Sequence, residues 1–199
     1  MEGKLLIIFV KNPQISKVKT RLAKDIGPKK ALATYLHLLQ RTKKATENLK
    51  VDKVIYYSDY VEKEGCFSSS KFKKQLQEGS DLGARMYNAF KQGFRDNYKN
   101  IVLIGSDLWD LDQLIVEKSF QALENYEFVL GPTYDGGYYL IGMNQLQQEV
   151  FLNIKWSSKT VFKDTIRHVK KIPHHILSTL NDIDTFEDLK AQPNLLKLI

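Results

Sequence analysis

The run KLLIIFV (Lys4–Val10) sets six apolar residues in a row, most of them branched. A strand that is apolar on both faces needs cover on both faces. That condition is met in sheets sandwiched between helices. Other apolar runs follow at intervals: DKVIYYSD (Asp52–Asp59), NIVLIGSD (Asn100–Asp107), YEFVLGPT (Tyr126–Thr133) and GYYLIGM (Gly137–Met143), with a short extended HHIL (His174–Leu177) later. Between them lie stretches of helical spacing. Pro28 to about Leu49 sets Ala31, Tyr35, Leu38 and Leu39 on one side and starts at Gly27–Pro28. Ser80–Phe94, capped by Ser80 or Asp81, sets Leu82, Met86, Ala89 and Phe90 on one face. Leu111–Asn125, Ser158–Val169 and Phe186–Lys190 are the remaining helices, and the polar Glu62–Lys74 reads as a loop around a short helix. Strands alternating with helices predict an α/β fold with a mostly parallel sheet covered on both faces. No internal repeat or long linker interrupts the chain, so one domain over 1–199 is expected.

Composition narrows the class. Of 199 residues, 43% are hydrophobic, enough for a core of that size. One cysteine, Cys66, excludes an intrachain disulfide and a zinc cluster. The first apolar run is too short for a signal sequence or a membrane span, so a cytoplasmic protein is expected. The formal net charge of +7 favours anionic partners. The cations are scattered, however, and PKK, RTKK, KFKK and VKK read as solvated helix faces or ends.

In sheets of this kind ligands bind beyond the carboxyl ends of the strands. Four places qualify: the loop after Val10, the segment before Ser80, Ser106–Asp107, and the turn at Asp135–Gly137. The first is KNPQISKVKTRLAKDIG (Lys11–Gly27), whose cations Lys17, Lys19, Arg21 and Lys24 suit a phosphate chain, although it matches neither GxxxxGK[ST] nor GxGxxG. Lys19 and Arg21 alternate with Thr20, and only one of the two is expected to face a ligand. At the second strand end that carries an acid, Asp107 can hold Mg²⁺ or Mn²⁺ bridging a diphosphate, or else cap a turn. Asp135, Gly136 and Gly137 make a tight hairpin turn that also permits close backbone approach, with Tyr138 beside it. In NDIDTFEDL, Asp182 and Asp184 alternate and are expected on opposite sides, and Thr185 with Asp188 reads as a capping box. The histidines lack metal-ligand spacing, and no GxSxG elbow supports nucleophilic hydrolysis.

Six segments in order, FVKNPQISKVKTRLAKDIG, QEGSDLGARM, IGSDLWDL, GPTYDGGYYLIGM, IKWSSKTVFKDT and DIDTFEDL, span nearly the whole chain. Together they resemble the bacterial glycosyltransferase-A-like proteins of the nucleotide-diphospho-sugar transferase superfamily, including radical-SAM-associated and arsenosugar-biosynthesis-type transferases. More distantly the chain is similar to guanylyltransferases. The resemblance implies a Rossmann-like three-layer α/β/α sandwich with a mixed, mainly parallel sheet. It implies a nucleotide or nucleotide-sugar donor at the first loop, held by Lys11, Asn12, Lys19, Thr20 and Arg21, with Asp81, Gly83 and Arg85 lining the base or ribose pocket. Asp107 and Asp184 match the superfamily's metal ligands for Mg²⁺ or Mn²⁺; Gly136, Gly137 and Tyr138 fall on the side of a small-molecule acceptor, with Asp135 as base. The chain departs from the pattern at Ser16, where a glycine is usual, and at Trp109–Asp110; the guanylyltransferase motif GGxSxRMG is absent.

The first functional expectation is therefore a metal-dependent glycosyltransferase. Nucleotidyl transfer, which releases pyrophosphate, is the alternative within the same class. A non-catalytic nucleotide or nucleic-acid binding module is the alternative outside it. Nucleic acid is disfavoured, because acids cluster at the strand ends where a phosphate backbone would lie.

Overall fold

The computed structural model describes residues 3–199; Met1 and Glu2, included in the one-domain expectation, lie outside them. Seven strands form one sheet: β1 (Lys4–Val10), β2 (Asp52–Tyr57), β3 (Lys73–Leu76), β4 (Asn100–Ile104), β5 (Phe128–Pro132), β6 (Tyr138–Met143) and β7 (His174–Ile176). Their order is β3-β2-β1-β4-β6-β5-β7. Only β6 runs against its neighbours β4 and β5; the other pairings are parallel. The helices are α1 (Thr20–Ile26), α2 (Pro28–Thr46), α3 (Leu82–Arg95), α4 (Gln113–Ala122), α5 (Val161–Val169), α6 (Phe186–Lys190) and α7 (Pro193–Leu196).

The continuous apolar run of β1 explains the layering. Alternate side chains leave the strand on opposite faces. Leu6, Ile8 and Val10 pack with Tyr35 and Leu39 of α2 and Val116 of α4. Leu5, Ile7 and Phe9 pack with Met86 and Phe90 of α3 and Val169 of α5. Both clusters are buried and apolar, so each fully buried β1 side chain contributes on the order of 1.5–3 kcal/mol. A third cluster joins Leu22 of α1, Ala31 and Leu38 of α2, Ile183, Leu189 of α6 and Leu195 of α7. It fastens the C-terminal segment beside the first loop.

The structure departs from the sequence expectations in four places. The polar loop before Ser80 contains no helix among its described residues; it leads instead into β3, an edge strand whose KKQL sequence is largely exposed. An edge strand needs no apolar alternation, so its pairing with β2 left no sequence signal. The cationic loop after β1 is followed by its own helix, α1, before Gly27 turns the chain with φ 84° into Pro28 at the start of α2. Helix α7 follows Pro193 and was not foreseen. Strand β4 ends at Ile104, which leaves Asp107 on the loop beyond the sheet edge.

Gly93 shows how closely the layers approach. A Cβ there would sit 2.6 Å from Ile101 Cδ1 and 2.9 Å from Leu5 Cδ2. Overpacking of this kind costs about 1–3 kcal/mol. Gly93→Ala is expected to lower the urea unfolding free energy by that amount without changing the m-value; an unchanged midpoint would show that α3 lifts from the sheet at little cost.

Candidate functional site

The first loop, the β4 end and the C-terminal segment meet at one lysine. Lys19 is 8% exposed and precedes α1 in a left-handed backbone conformation, φ 48° and ψ 44°. Its Nζ lies 3.1 Å from Asp107 Oδ1 and 3.2 Å from Asp184 Oδ1. Arg21 Nη1 reaches the other oxygen of Asp184 at 3.5 Å. Burial lowers the Lys19 pKa, but the Asp107 and Asp184 carboxylates outweigh it and hold it above the usual lysine range. Lys19 and Arg21 thus reach the same carboxylate and line one pocket, against the expectation that only one of them faces it.

Asp184 is delivered by its neighbours. Ile183 is fully buried and donates its N–H to the Asp107 carbonyl at 3.1 Å. The Asp184 N–H bonds Asp188 Oδ2 at 3.1 Å, and Thr185 with Asp188 completes the capping box of α6. Asp182 and Asp184 line one cavity, against the expectation of opposite sides, as residues two apart in an extended segment share a face.

Three recesses open around Asp107. A polar pocket of about 220 Å³ is lined by Lys11, Lys17, Lys19, Thr20 and Arg21. A more apolar pocket of about 280 Å³ is lined by Phe9, Leu82, Met86, Leu103 and Tyr138, with Gln77 at its wall. A cavity of about 490 Å³ takes in Asp135, Gly137, Tyr138, Trp156 and Asp182. Tyr35, 1% exposed, backs the polar pocket: its hydroxyl accepts from the Lys11 N–H at 2.9 Å and lies 3.1 Å from Ser106 Oγ. Ser16, Lys19 and Ser157 all hold positive φ around the polar end. Non-glycine residues adopt that conformation only where surrounding contacts fix it.

Four residues expected to touch a nucleotide stand back from these recesses. Asn12 is 2% exposed, and its side chain bonds the backbone of Asp59 and Tyr60, tying the first loop to the end of β2. Asp81 caps α3 through Ala84 N–H. Gly83 gives room to Trp156, whose Nε1 would be 2.5 Å from a Cβ there. Arg85 donates to Gly79 O and to Gln77 Oε1, one step behind the apolar pocket. On α3 the cleft is faced instead by Leu82 and Met86, one helical turn apart. Gly136 packs its Cα where a Cβ would lie 2.1 Å from Lys159 O, so it holds the hairpin against the loop before α5. Asp135 Oδ1 accepts from Thr133 Oγ1 at 2.5 Å and Gly137 N–H at 3.0 Å, which fixes the turn and leaves Oδ2 toward the cavity.

Sequence reasoning passed over Asp182, Trp156, Ser157 and Lys159 as site residues. The segment carrying the last three stood out in the sequence without a role. Asp182 is half-buried, and burial with the Asp135 and Asp184 carboxylates pushes its pKa up to about 6.

Among the described residues, no group of three or more His, Cys, Asp or Glu side chains is arranged to hold a metal ion. Asp107 and Asp184 nevertheless already converge on one cation, the Lys19 ammonium. Their hard oxygens suit Mg²⁺ or Mn²⁺, which commonly take one or two carboxylates and complete their shell with water and phosphate oxygens. The donor set therefore fits a cation that arrives with a diphosphate.

The comparisons agree with this architecture. Residues 40–158 match the model of a family described as uncharacterized proteins conserved in bacteria, DUF2064. The chain belongs to this DUF2064 family. A solved structure from Desulfovibrio desulfuricans G20, a candidate nucleotide-diphospho-sugar transferase, is 32% identical over 96% of this chain and 86% of its own, with a TM-score of 0.88. The 4-diphosphocytidyl-2C-methyl-D-erythritol synthase of Anaerococcus prevotii DSM 20548 shares the fold at 10% identity, covering 98% of each chain with a TM-score of 0.61. So does Rv0371C of Mycobacterium tuberculosis H37Rv, solved with manganese, at 14% identity over 99% of this chain and 100% of that one, TM-score 0.58. Among curated proteins none matches the sequence. Among the described residues no helix is long and apolar enough to cross a membrane.

The raised Asp182 pKa has a definite sign for stability. The folded state binds this proton more tightly than the unfolded chain, so stability falls as pH rises from about 4 to about 6. The side chain is partly solvated, and screening reduces the full shift to roughly 1 kcal/mol. Asp182→Asn is expected to unfold at higher urea than the unmodified chain at pH 7, with the two converging near pH 4; equal midpoints at pH 7 would show that the carboxylate is not strained there.

Proposed function

We propose that this protein is a glycosyltransferase that uses a nucleotide-diphospho-sugar and a divalent metal ion, with the whole chain acting as one glycosyltransferase-A-like domain. The observation that carries the reading is the convergence of Lys19, Asp107 and Asp184 between a cationic pocket and a cavity large enough for a sugar. The 32% identical Desulfovibrio relative, itself a candidate nucleotide-diphospho-sugar transferase, supports it.

In this reading the diphosphate lies in the polar pocket against Lys11, Lys17, Lys19, Thr20 and Arg21. The base enters the apolar pocket between Leu82, Met86 and Phe9, and Gln77 supplies the polar edge. Arg85 and Asp81 act indirectly, by holding Gln77 and α3. Asp107 and Asp184 hold Mg²⁺ or Mn²⁺, which would offset charge developing on the leaving diphosphate. The donor sugar and the acceptor share the larger cavity. An acceptor hydroxyl oxygen bonds to the anomeric carbon, and the anomeric carbon–oxygen bond breaks. The nucleoside diphosphate leaves with that electron pair, and the acceptor proton passes to the carboxylates of Asp135 and Asp182. Lys19 and Arg21 stand on the leaving-group side, where cations lower the barrier most.

The test is a thermal-shift panel of UDP, GDP, ADP and CDP, their sugars and the triphosphates, with and without Mn²⁺. One diphosphate at about 100 times its Kd stabilises the fold by roughly 2.7 kcal/mol and raises the midpoint by several degrees. The expected result is a shift that needs Mn²⁺ and disappears in Asp107→Ala. No shift at millimolar ligand would remove the nucleotide reading. Pyrophosphate release from a triphosphate and a phosphorylated acceptor would move the assignment to nucleotidyl transfer.

A further inference from the structure

The two polar recesses that meet at Asp107 and Asp184 carry opposite charge. The smaller one gathers Lys11, Lys17, Lys19 and Arg21. The larger one gathers the carboxylates of Asp107, Asp135, Asp182 and Asp184 against Arg21 and Lys159. The cations nearest the junction are already engaged: Lys19 with Asp107 and Asp184, Arg21 with Asp184. Asp135 and Asp182 have no ion-pair partner within 4.0 Å among the described residues. The exposed Lys159 is the remaining cation on that cavity's wall. The cavity wall around Asp135 and Asp182 is thus rich in acceptor oxygens that no cation pairs among the described residues.

A phosphate or carboxylate brought there would meet the Asp135 and Asp182 carboxylates with no paired cation between them, and like charges repel. Hydroxyl and ammonium groups would find hydrogen-bond acceptors there. Trp156 and Tyr138 line the cavity as well, and aromatic side chains are common walls of small-molecule sites. At about 490 Å³ the cavity has room for such a molecule beside a donor sugar.

We infer that the acceptor bound in this cavity is a polyhydroxylated or amine-bearing molecule that carries no phosphate or carboxylate. The inference rests on the glycosyltransferase reading and sharpens it, since a nucleotidyltransferase of the alternative kind would have to seat a phosphorylated acceptor beside Asp135 and Asp182. Acceptors that satisfy it are simple polyols, sugars and amino sugars.

The chain has two tryptophans, and Trp156 is the one in the cavity. Trp109→Phe leaves Trp156 as sole reporter, and Trp156→Phe leaves Trp109 as the control. Fluorescence quenching by caesium and by iodide is measured at equal ionic strength, each normalised to free N-acetyltryptophanamide. Caesium is expected to exceed iodide by about threefold at Trp156, and Asp135→Asn with Asp182→Asn to bring the ratio toward one. Acrylamide protection of Trp156 is then measured with nucleoside diphosphate and Mn²⁺ present, for glycerol, glucose and glucosamine and for glycerol 3-phosphate and glucose 6-phosphate. Protection by an unphosphorylated compound at concentrations where its phosphate gives none supports the inference. Iodide equal to or above caesium, stronger protection by a phosphate, or protection by none of them overturns it. Absence of any nucleotide-dependent thermal shift removes the donor reading instead, and the ion-quenching arm still decides the charge of the cavity.

Discussion

The contact between the Lys19 ammonium and the Asp107 and Asp184 carboxylates joins three parts of the chain that are far apart in sequence. Lys19 opens α1, Asp107 lies past β4, and Asp184 precedes α6. Each charge alone would be costly in its place. An ammonium that is 8% exposed needs partners, and two neighbouring carboxylates repel each other unless a cation lies between them. The arrangement is stable only when all three segments are docked. It therefore couples the folding of the C-terminal segment to the geometry of the first loop.

Apolar packing makes that docking affordable. The cluster of Leu22, Leu38, Ile183, Leu189 and Leu195 seats the last segment against α1 and α2 just behind the charges. The capping box of Thr185 and Asp188 fixes where the chain turns. Hydrogen bonds from Thr185 and Asn181 hold the Asp188 carboxyl below its usual range against the upward push of burial. On the opposite side, Asn12 and Tyr35 tie the first loop to the ends of β2 and β4 through bonds that use their polar atoms fully. Burial and the Asp107 carboxylate push the Tyr35 hydroxyl upward, so it stays a proton-bearing brace.

Much of the fold was legible from periodicity. The double-faced runs of β1, β2 and β4 announced a covered sheet, and the helical stretches at α2, α3 and α4 fell where apolar spacing put them. The elements that escaped are those with little apolar content of their own. Strand β3 is held by backbone pairing at an edge, and α1 and α7 owe their helicity to the cluster they share. For the site, sequence spacing identified strand ends but assumed extended geometry. It read one intervening residue as separating Lys19 from Arg21 and Asp182 from Asp184, although residues two apart in an extended segment share a face, and each pair lines one recess. It also favoured polar residues of the segment before α3 as ligands. There the polar groups serve as caps and braces, and the apolar Leu82 and Met86 face the cleft.

The charge pattern of the cleft follows from where each loop comes from. Cations arrive on the stretch after β1, and acids arrive on the β4 end, the β5–β6 hairpin and the C-terminal segment. Because Lys19 and Arg21 meet Asp184 at the boundary, the positive and negative halves neutralise each other there. A metal–diphosphate complex entering the boundary would bring both signs itself. Its metal could take the carboxylates while its phosphates took Lys19 and Arg21, so each protein charge would exchange one partner for another without being left unpaired. The three segments carrying these charges are held by apolar packing as well as by the ion pairs, so the fold around the boundary does not rest on those pairs alone.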